Sequence, residues 1–369
     1  MELVNATRMS AGYCQAREPS GRGLLVVVVK GTFQIPADGG RLTLAAEQLP
    51  LIMSDVFHGE PGLSAPKYEI DFAPCKQQCD VLLNGTAHAP GGRPVTRMTV
   101  GMQIGAWSKS FDVVGDRAWF AAGGVRATDP EPFVSMPISY DRAFGGVDQR
   151  HESPQEHAAY TPNPSGRGFH RHLKPEWLEG SPLPNTEESG VSVNQPDGRY
   201  RPMAFGPIGR HWEPRLRYAG TYDQHWLDEV FPFLPADFDE RFYQAAPADQ
   251  QLIKPVGEQV MTLVGLTPQG RTQCVLPHFE APIRVFPKRG PPEELIAESD
   301  TILVEPDLNL VTMTWRVARP LRREMSEIAQ VLVGRKGPQW WQLRDGSSFP
   351  LPVVVVPMDQ DETEAEVGV

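Results

Sequence analysis

The most constraining feature of this 369-residue chain is a stretch, residues 139–206, that is dense in proline and glycine and has no regular hydrophobic period. It does not alternate cleanly enough for strands, and it lacks the spacing of a helix. Proline fixes the backbone angle φ and glycine permits positive φ, so together they specify turns and loops. The interleaved aromatic side chains need buried positions. The stretch therefore predicts a long, structured loop system that is pinned to a β scaffold.

The composition favours a mainly β protein. The 37 prolines and 34 glycines approach a fifth of the chain, which disfavours a helical bundle. We predict an antiparallel β-sandwich-like scaffold with a long Pro/Gly-rich central loop region and one or two short helices. Seventeen prolines fall within residues 129–257, which marks a compositional boundary. The predicted regions are an N-terminal β region (1–128), the central loop region packed on the scaffold (129–257), a C-terminal β region (258–357) and a disordered acidic tail (358–369).

Local patterns suggest individual elements. Residues 24–51 have the pattern of a hairpin whose first strand is buried on both faces, and residues 301–317 have the pattern of a second hairpin. Residues 235–246 have the pattern of a short helix with Asp237 as its N-cap, and residues 321–332 have the pattern of one amphipathic helix. Residues 351–357 have the pattern of a last strand. The two β regions leave open whether the chain forms two related sandwiches or one sandwich completed by both ends.

Charge and motif content argue against several classes of function. The net charge of −11 lacks the basic footprint that nucleic acid binding needs, whereas basic proteins remain possible partners. No apolar run is long enough to span a bilayer, and the start MELVNATRMS is not an export signal. We therefore expect a cytoplasmic protein without membrane insertion. Cys75 and Cys79 form a lone CxxxC pair without a second ligand pair, so we expect thiols without a metal or a disulfide framework.

Histidines are concentrated in the central region. His170 and His172 are two residues apart, and a zinc site there would need a third ligand such as His157 or Glu176. No metal-binding motif such as HExxH surrounds them. We therefore expect loop histidines that bond to backbone carbonyl groups and no metal site.

Two carboxylates are the other candidates for chemistry. Asp141 and Asp148 would form a paired-carboxylate site if they lay a few ångströms apart in different environments. We interpret the SYDR motif at Asp141 more simply as a salt-bridge corner that holds the loop. The chain has no nucleophile signature, and the GRG of residues 166–168 lacks the strand and helix of a phosphate loop. We therefore predict no catalytic residue and no cofactor.

Long, ordered motifs extend through most of the chain: VVVVKGTF, KYEIDFAPCKQQCDVLLNGTAHAP, SYDRAFGGVD, NPSGRGF, LPN, FGPIGRHWEPR, AGTYDQHW, FPFLPADFDERFYQAAPADQ and DTILVEPDLNLVTMTWR. Over about residues 20–317 they resemble the bacterial domain-of-unknown-function family 2169. One departure is the KQQC before Asp80, where the family usually has a Lys-Pro-type dipeptide.

This resemblance implies an adaptor or chaperone of the type VI secretion system. Such a protein stabilises a toxin effector in the cytoplasm and helps to load it onto the spike, which consists of the valine-glycine repeat protein and its PAAR-repeat tip. The partners that it implies are therefore the effector, the spike protein and the PAAR-repeat protein. It implies no catalytic residues.

Two functions from different classes follow. The first is this cytoplasmic adaptor, with the central loops as the partner surface, because Arg, Trp, Tyr and Phe dominate interface energies. The second is a hydrolase-like enzyme that acts on a small polar substrate through Asp141, Asp148, His170 or His172. The residues that we predict to contact a partner are Arg142, Phe144, Arg167, Phe169, Phe205, Arg210, Trp212, Tyr222 and Trp226.

Overall fold

The computed structural model describes residues 1–345, except residues 38, 122 and 254–256. The chain is mainly β, which confirms the prediction from composition. The strands are, in chain order, β1 (Glu2–Asn5), β2 (Ser10–Arg17), β3 (Gly23–Gln34), β4 (Thr43–Leu44), β5 (Val56–Phe57), β6 (Pro66–Tyr68), β7 (Cys79–Leu83), β8 (Gly85–His88), β9 (Arg97–Ile104), β10 (Trp107–Val114), β11 (Trp119–Phe120), β12 (Arg126–Ala127), β13 (Ser135–Ile138), β14 (Phe144–Gly145), β15 (Val147–Asp148), β16 (Ala158–Ala159), β17 (Arg167–Gly168), β18 (Thr186–Glu187), β19 (Gln251–Leu252), β20 (Val260–Val264), β21 (Arg271–Val275), β22 (Ala281–Pro287), β23 (Glu293–Glu305), β24 (Leu310–Pro320) and β25 (Ile328–Val333). The α-helices are α1 (Pro175–Leu178), α2 (Glu213–Leu216) and α3 (Pro338–Asp345).

A ten-stranded sheet forms the larger layer of the scaffold. Its main path is β1-β25-β22-β23-β24-β3-β2, with β7 beside β23, β19 beside β7 and β4 beside β3. Neighbouring strands are antiparallel, except for the parallel pairs β1 with β25 and β7 with β23. The sheet takes strands from both the N-terminal and the C-terminal β regions. Of the two arrangements that the sequence leaves open, the structure thus has one scaffold to which both regions contribute.

Strand β3 explains the apolar run near the start of the chain. It pairs with β2 along one edge and with β24 along the other, and its pairing with β4 is limited to two residues. The predicted hairpin over residues 24–51 is therefore only a short contact, whereas the burial on both faces is confirmed. One face contributes Leu25, Val27 and Val29 to the main core, and the other packs Leu24, Val26 and Val28 against Leu51 and Phe72.

A five-stranded sheet, β18-β10-β9-β20-β21, forms the second layer. One buried cluster contains side chains of both sheets, including Val27 of β3, Met102 of β9, Phe111 of β10, Leu263 of β20 and Trp315 of β24. Fully burying one such side chain contributes about 1.5 to 3 kcal/mol. The two layers therefore hold each other face to face, which is the sandwich-like arrangement predicted from the sequence.

The central region is attached to both layers through short strands. Its β18 lies in the five-stranded sheet and its β19 lies in the ten-stranded sheet, while β13 pairs with β8. A separate buried cluster belongs largely to this region and contains Trp119, Phe144, Leu178, Leu183 and Val193. The proline-rich loops thus have a small core of their own.

The helix predicted over residues 235–246 is wrong. The structure has only a single 3-10 turn, Glu240–Tyr243, and Asp239 rather than Asp237 accepts the capping hydrogen bond. The carboxylate of Asp237 instead accepts from the backbone N–H and the hydroxyl of Thr221, at 2.9 and 2.8 Å. Asp237 is therefore bonded to Thr221 across the loop and does not cap a helix, as the local sequence pattern had predicted.

The helix predicted over residues 321–332 is also wrong. A 3-10 turn, Met325–Glu327, precedes strand β25, which lies between β22 and β1. The Glu327 carboxylate accepts hydrogen bonds from the backbone N–H groups of Arg322 and Arg323, which fold the segment back on itself. The β-branched residues that follow are buried in the sheet, where they pack well.

Helix α3, which the sequence analysis did not anticipate, is the last described element. Its Trp341 lies 6.2 Å from the ring of Phe286 in β22, centroid to centroid. The predicted strand over residues 351–357 and the acidic tail of residues 358–369 fall outside the described residues. In the part of the chain that the structure describes, no helix has the length and apolar character needed to cross a membrane.

Candidate partner-binding surface

The motifs SYDRAFGGVD and NPSGRGF hold each other in place through Asn163. Its side-chain amide donates to the backbone carbonyl oxygens of Tyr140 and Phe144, at 2.8 and 3.1 Å. The backbone carbonyl oxygen of Asn163 accepts from Gly146 N–H at 2.9 Å. A Cβ on Gly145 would lie 2.0 Å from that same carbonyl oxygen. Only glycine therefore allows the two loops to come this close.

The LPN motif supplies the next attachment point. The fully buried Asn185 accepts hydrogen bonds on Oδ1 from Arg142 at 3.0 Å and from Arg167 at 3.5 Å. Its Nδ2 donates to the carbonyl oxygen of Val114 at 3.1 Å, which joins the loops to β10. Burial and the neighbouring Arg142 lower the pKa of Arg167. Both predicted partner-binding arginines thus have internal bonding partners.

Arg210 and Arg215 converge on one carboxylate. Nη2 of each lies within 2.9 and 2.7 Å of Glu69 Oε1, respectively, and Nε of Arg210 also lies 3.0 Å from Asp55. Burial alone raises the pKa of Glu69, but the guanidinium of Arg215 and then Lys76 and Arg210 outweigh it, so the pKa is lowered. Arg210 therefore links the central loops to residues 55–69 through ion pairs with Asp55 and Glu69.

Three of the predicted partner-binding aromatics are core residues. Phe144, Phe205 and Trp212 have no accessible surface. Phe205 packs on Phe111 in the main core at 4.7 Å between ring centroids, and Trp212 meets Tyr140 edge-on at 5.4 Å. A side chain without accessible surface cannot contact a partner on this fold, so the prediction is corrected for these three. Phe169 is half-buried against Phe144 and Tyr160.

The two candidate carboxylates accept backbone hydrogen bonds. Asp141 accepts from Ala65 N–H at 2.7 Å, and Arg142 of the same SYDR corner lies 3.8 Å from Asp116 Oδ1, the ion pair of this corner. Asp148 accepts from the N–H groups of Arg171 and His172, both at 3.0 Å. Burial raises the pKa of Asp148, but these hydrogen bonds, that of His172 first, outweigh burial and lower it. The structure thus uses both carboxylates to fix loops.

The candidate histidines also have local partners. His172 Nε2 lies 3.0 Å from the carbonyl oxygen of Glu156, and His157 Nε2 lies 2.9 Å from that of His151, as expected for loop histidines. Burial, followed by the charge of Arg150, lowers the pKa of His170 against the influence of Asp148. Across the described residues, no group of three or more His, Cys, Asp or Glu side chains is arranged to hold a metal ion.

The surroundings of Cys75 and Cys79 indicate a structural role for this pair. Cys79 is buried in β7 and Cys75 is half-buried, and neither forms a disulfide within the described residues. Burial, followed by the neighbouring Glu240, raises the pKa of Cys75 to about 12. A thiol with so high a pKa is a poor nucleophile and a poor metal ligand at neutral pH.

An exposed apolar segment lies near the end of the central region, over residues 222–233, and we call it the aromatic ridge. The exposed fractions are 52% for Tyr222, 54% for Leu227, 63% for Phe231 and 43% for Phe233. Trp226 packs against two of them: its ring centroid lies 4.7 Å from that of Tyr222 and 5.6 Å from that of Phe231. Its indole N–H donates to the carbonyl oxygen of Phe233 at 2.9 Å. The ridge thus combines exposed apolar surface with a fixed base.

The ridge is also joined to the scaffold. The ring of Phe233 covers Gly21 in the turn between β2 and β3, where an added Cβ would lie 2.7 Å from the ring. The guanidinium of Arg17 lies 6.0 Å from the same ring centroid, within cation–π range. Of the ridge residues, the sequence analysis named Tyr222 and Trp226 only. The signal that it missed is the aperiodic apolar run FPFLP directly after the acidic WLDEV.

The fold and this surface define a class: a mainly β scaffold protein whose long loop region is fixed by buried amide and arginine hydrogen bonds and carries an exposed aromatic ridge. The chain belongs to the DUF2169 family of uncharacterized proteins conserved in bacteria, whose model matches residues 20–316. No curated protein and no solved structure is significantly similar to the chain.

Proposed function

We propose that this protein is a cytoplasmic adaptor or chaperone of the type VI secretion system. It binds a toxin effector, stabilises it and promotes its loading onto the spike protein and the PAAR-repeat tip. Family membership supports the proposal through the adaptor role that the sequence resemblance implies. The observation that carries it is the aromatic ridge, because its exposed apolar side chains are of the types that dominate interface energies.

The ridge has the anatomy of a protein contact surface. Its exposed apolar side chains alternate along the chain with the exposed acidic side chains of Asp223, Asp228 and Glu229. Contiguous exposed apolar surface with a polar rim is typical of interaction sites. The partner that fits is a protein with an apolar depression and basic residues around it. The proposed contact surface is therefore residues 222–233, while Arg142, Arg167 and Arg210 hold the loops that carry it.

The proposal assigns no catalytic step. Asp141 and Asp148 accept backbone hydrogen bonds, and His172 lies against a backbone carbonyl oxygen. A general acid or base needs a free face toward a substrate. No contact in the described residues favours the hydrolase-like alternative over these structural roles.

Capture from the bacterium that encodes the chain tests the proposal. The tagged full-length protein and a Tyr222→Ala/Leu227→Ala ridge variant are expressed there, purified and compared by mass spectrometry. Leu63→Ala/Ile296→Ala is the matched control, because these side chains are 72% and 61% exposed and lie outside the ridge. We expect an effector with spike or PAAR-repeat proteins to accompany the wild type and the control, and to be depleted from the ridge variant.

Two results would count against the proposal. The first is that no secretion component accompanies the wild-type protein. The second is that the ridge variant captures the same proteins in the same amounts as the control. Melting temperatures of all three proteins are measured alongside, so that lost capture can be separated from lost fold.

A further inference from the structure

A positively charged groove lies at one end of the ten-stranded sheet, and Arg17 and Gly21 in its wall also contact Phe233 of the aromatic ridge. Two hollows of about 590 and 520 Å³ flank the segment of residues 321–327 and share Arg322 and Arg323 in their walls. We call this surface the basic groove. Its cationic side chains are those of Arg17, Arg22, Lys288, Arg289, Arg319, Arg322 and Arg323.

The acidic residues of the first hollow are already engaged. Glu293 lies 2.7 Å from Arg319, and Glu327 lies 3.0 Å from the same guanidinium. Glu327 also accepts from the backbone N–H groups of Arg322 and Arg323. Both carboxylates thus pair with Arg319, and the charge of Arg322 also acts on Glu293.

Four cations of this hollow form no salt bridge among the described residues: Lys288, Arg289, Arg322 and Arg323. With Arg319, the hollow thus has five cations against the two carboxylates of Glu293 and Glu327, and this excess of positive charge attracts an anion. The feature stands out because the chain as a whole carries a net charge of −11. A string of carboxylates is the complementary ligand.

The chain itself contains such a string. Residues 359–366 read DQDETEAE and include five carboxylates and no cation. The chain leaves α3 at Asp345, and α3 packs through Trp341 on Phe286, next to the Pro287 that lines the groove. Residues 346–358 lie between α3 and this acidic string, and at about 3.3 Å per residue they span on the order of 40 Å when extended. This length of chain is enough for the acidic string to reach the groove.

We propose that the basic groove is a docking surface for a carboxylate-rich peptide and that its resident ligand is the acidic segment 359–366 of this chain. The binding is electrostatic and needs no regular structure in the segment. Because a ligand tethered to the same chain can reach an effective concentration in the millimolar range, even a weak contact keeps the groove covered. The proposal is independent of the adaptor function.

A zero-length carbodiimide crosslink is the direct test, since it joins a lysine to a carboxylate in contact with it. On the full-length protein we expect crosslinks from Lys288 to residues 359–366, and these crosslinks weaken as salt is raised. Lys174, which is exposed in the central region, is the internal control and should give none. In a mixture of isotopically light and heavy chains, products confined to one chain support the proposal. Products that join two chains, or none at Lys288, overturn it.

A matched pair of variants tests the groove itself. Arg322→Ala/Arg323→Ala should lose most of the Lys288 crosslinks. Arg93→Ala/Arg126→Ala, which removes two exposed arginines elsewhere, should keep them. Equal crosslinking in both variants at unchanged melting temperature contradicts the assignment of the groove.

Binding of the labelled peptide DQDETEAE gives an independent readout. We compare the wild type with a full-length variant whose five tail carboxylates are replaced by amides (Asp359→Asn, Asp361→Asn, Glu362→Gln, Glu364→Gln and Glu366→Gln). A tail at millimolar effective concentration competes with the peptide, so the amide variant should bind it about tenfold more tightly. Equal binding, or no binding by either protein, overturns the proposal.

Discussion

The ammonium group of Lys76 lies 2.6 Å from Oδ2 of Asp80, and the two side chains are 4% and 0% exposed. The same carboxylate accepts hydrogen bonds from the Gln244 amide at 2.7 Å and from Ala245 N–H at 2.8 Å. This buried ion pair therefore joins β7 of the scaffold to the end of the central region. It lies at the place where the chain has KQQC in its motif, so the lysine there has a structural role.

Replacing Asp80 by Asn should destabilise the protein strongly. The substitution removes the carboxylate that Lys76 bonds directly, and breaking such a buried pair costs about 3 to 5 kcal/mol. Lys76→Met in the same background removes the unpaired charge and should recover part of the loss. Denaturant unfolding of both single variants and the double variant measures the coupling. A cost below about 1 kcal/mol for Asp80→Asn would show that the pair is not what holds this junction.

The close approach of the two central loops predicts a specific glycine effect. In Gly145→Ala the new Cβ meets the Asn163 carbonyl oxygen at 2.0 Å, so the loops must separate. We expect a loss of about 1 to 3 kcal/mol in the free energy of unfolding. Gly206→Ala is the matched control, because its Cβ would find its nearest neighbour at 3.8 Å. Equal effects of the two substitutions would mean that the contact at Gly145 is not limiting.

Glu69 makes the stability depend on acid pH. Its pKa is lowered from the ordinary 4.5 because Arg215, Lys76 and Arg210 outweigh its burial. Its contribution is therefore present above about pH 4.5 and is lost as the pH falls through the lowered folded value. Glu69→Gln should cost about 3 kcal/mol at neutral pH. The difference in the free energy of unfolding between the wild type and Glu69→Gln should disappear at acid pH.

Glu213→Gln is the control for this titration. Its partner Arg217 is exposed, so the pair contributes little to stability. Urea unfolding of the wild type and both variants from neutral pH down to acid pH measures the gap. A gap for Glu69→Gln that stays constant over this range would contradict the role of its charge.

Lys109 gives a pH dependence of the same sign, but at alkaline pH. Burial lowers its pKa to about 8, against the influence of Asp249, and Gln250 Oε1 accepts its hydrogen bond at 2.6 Å. Between about pH 8 and 10.5 the unfolded chain holds this proton more tightly than the folded chain, so rising pH favours folding through this group. The stability of the wild type should therefore rise relative to that of Lys109→Met. A constant difference over this range would mean that the lysine is neutral or charged in both states alike.

The scaffold was largely predictable because its signals are local. The buried run of β3 and the hairpin of β23 and β24 follow from β-branched residues bounded by turn residues. The two predicted helices failed for a different reason. In each case an acidic side chain that suited a helix, Asp237 or Glu327, bonds backbone groups in a loop. A short sequence pattern does not show whether an acidic side chain will support a helix or bond backbone groups in a loop.

The partner-binding candidates were harder to predict because residue type does not reveal exposure. Arginine and aromatic residues serve both interfaces and cores, and the central loops use Trp212 and Phe144 as core and Arg210 as a pin. The ridge differs in that its apolar side chains Tyr222, Leu227, Phe231 and Phe233 are 43 to 63% exposed. Substitutions at Arg210 or Trp212 therefore test stability, whereas substitutions at residues 222–233 test the proposed recognition.

The most direct test of the account is the affinity of the effector, identified by capture, for the ridge variant. We predict that Tyr222→Ala/Leu227→Ala binds it about 30-fold more weakly than the wild type, equivalent to about 2 kcal/mol. The melting temperature and the affinity of Leu63→Ala/Ile296→Ala should remain those of the wild type. An unchanged Kd for the folded ridge variant would contradict the claim that residues 222–233 form the partner surface.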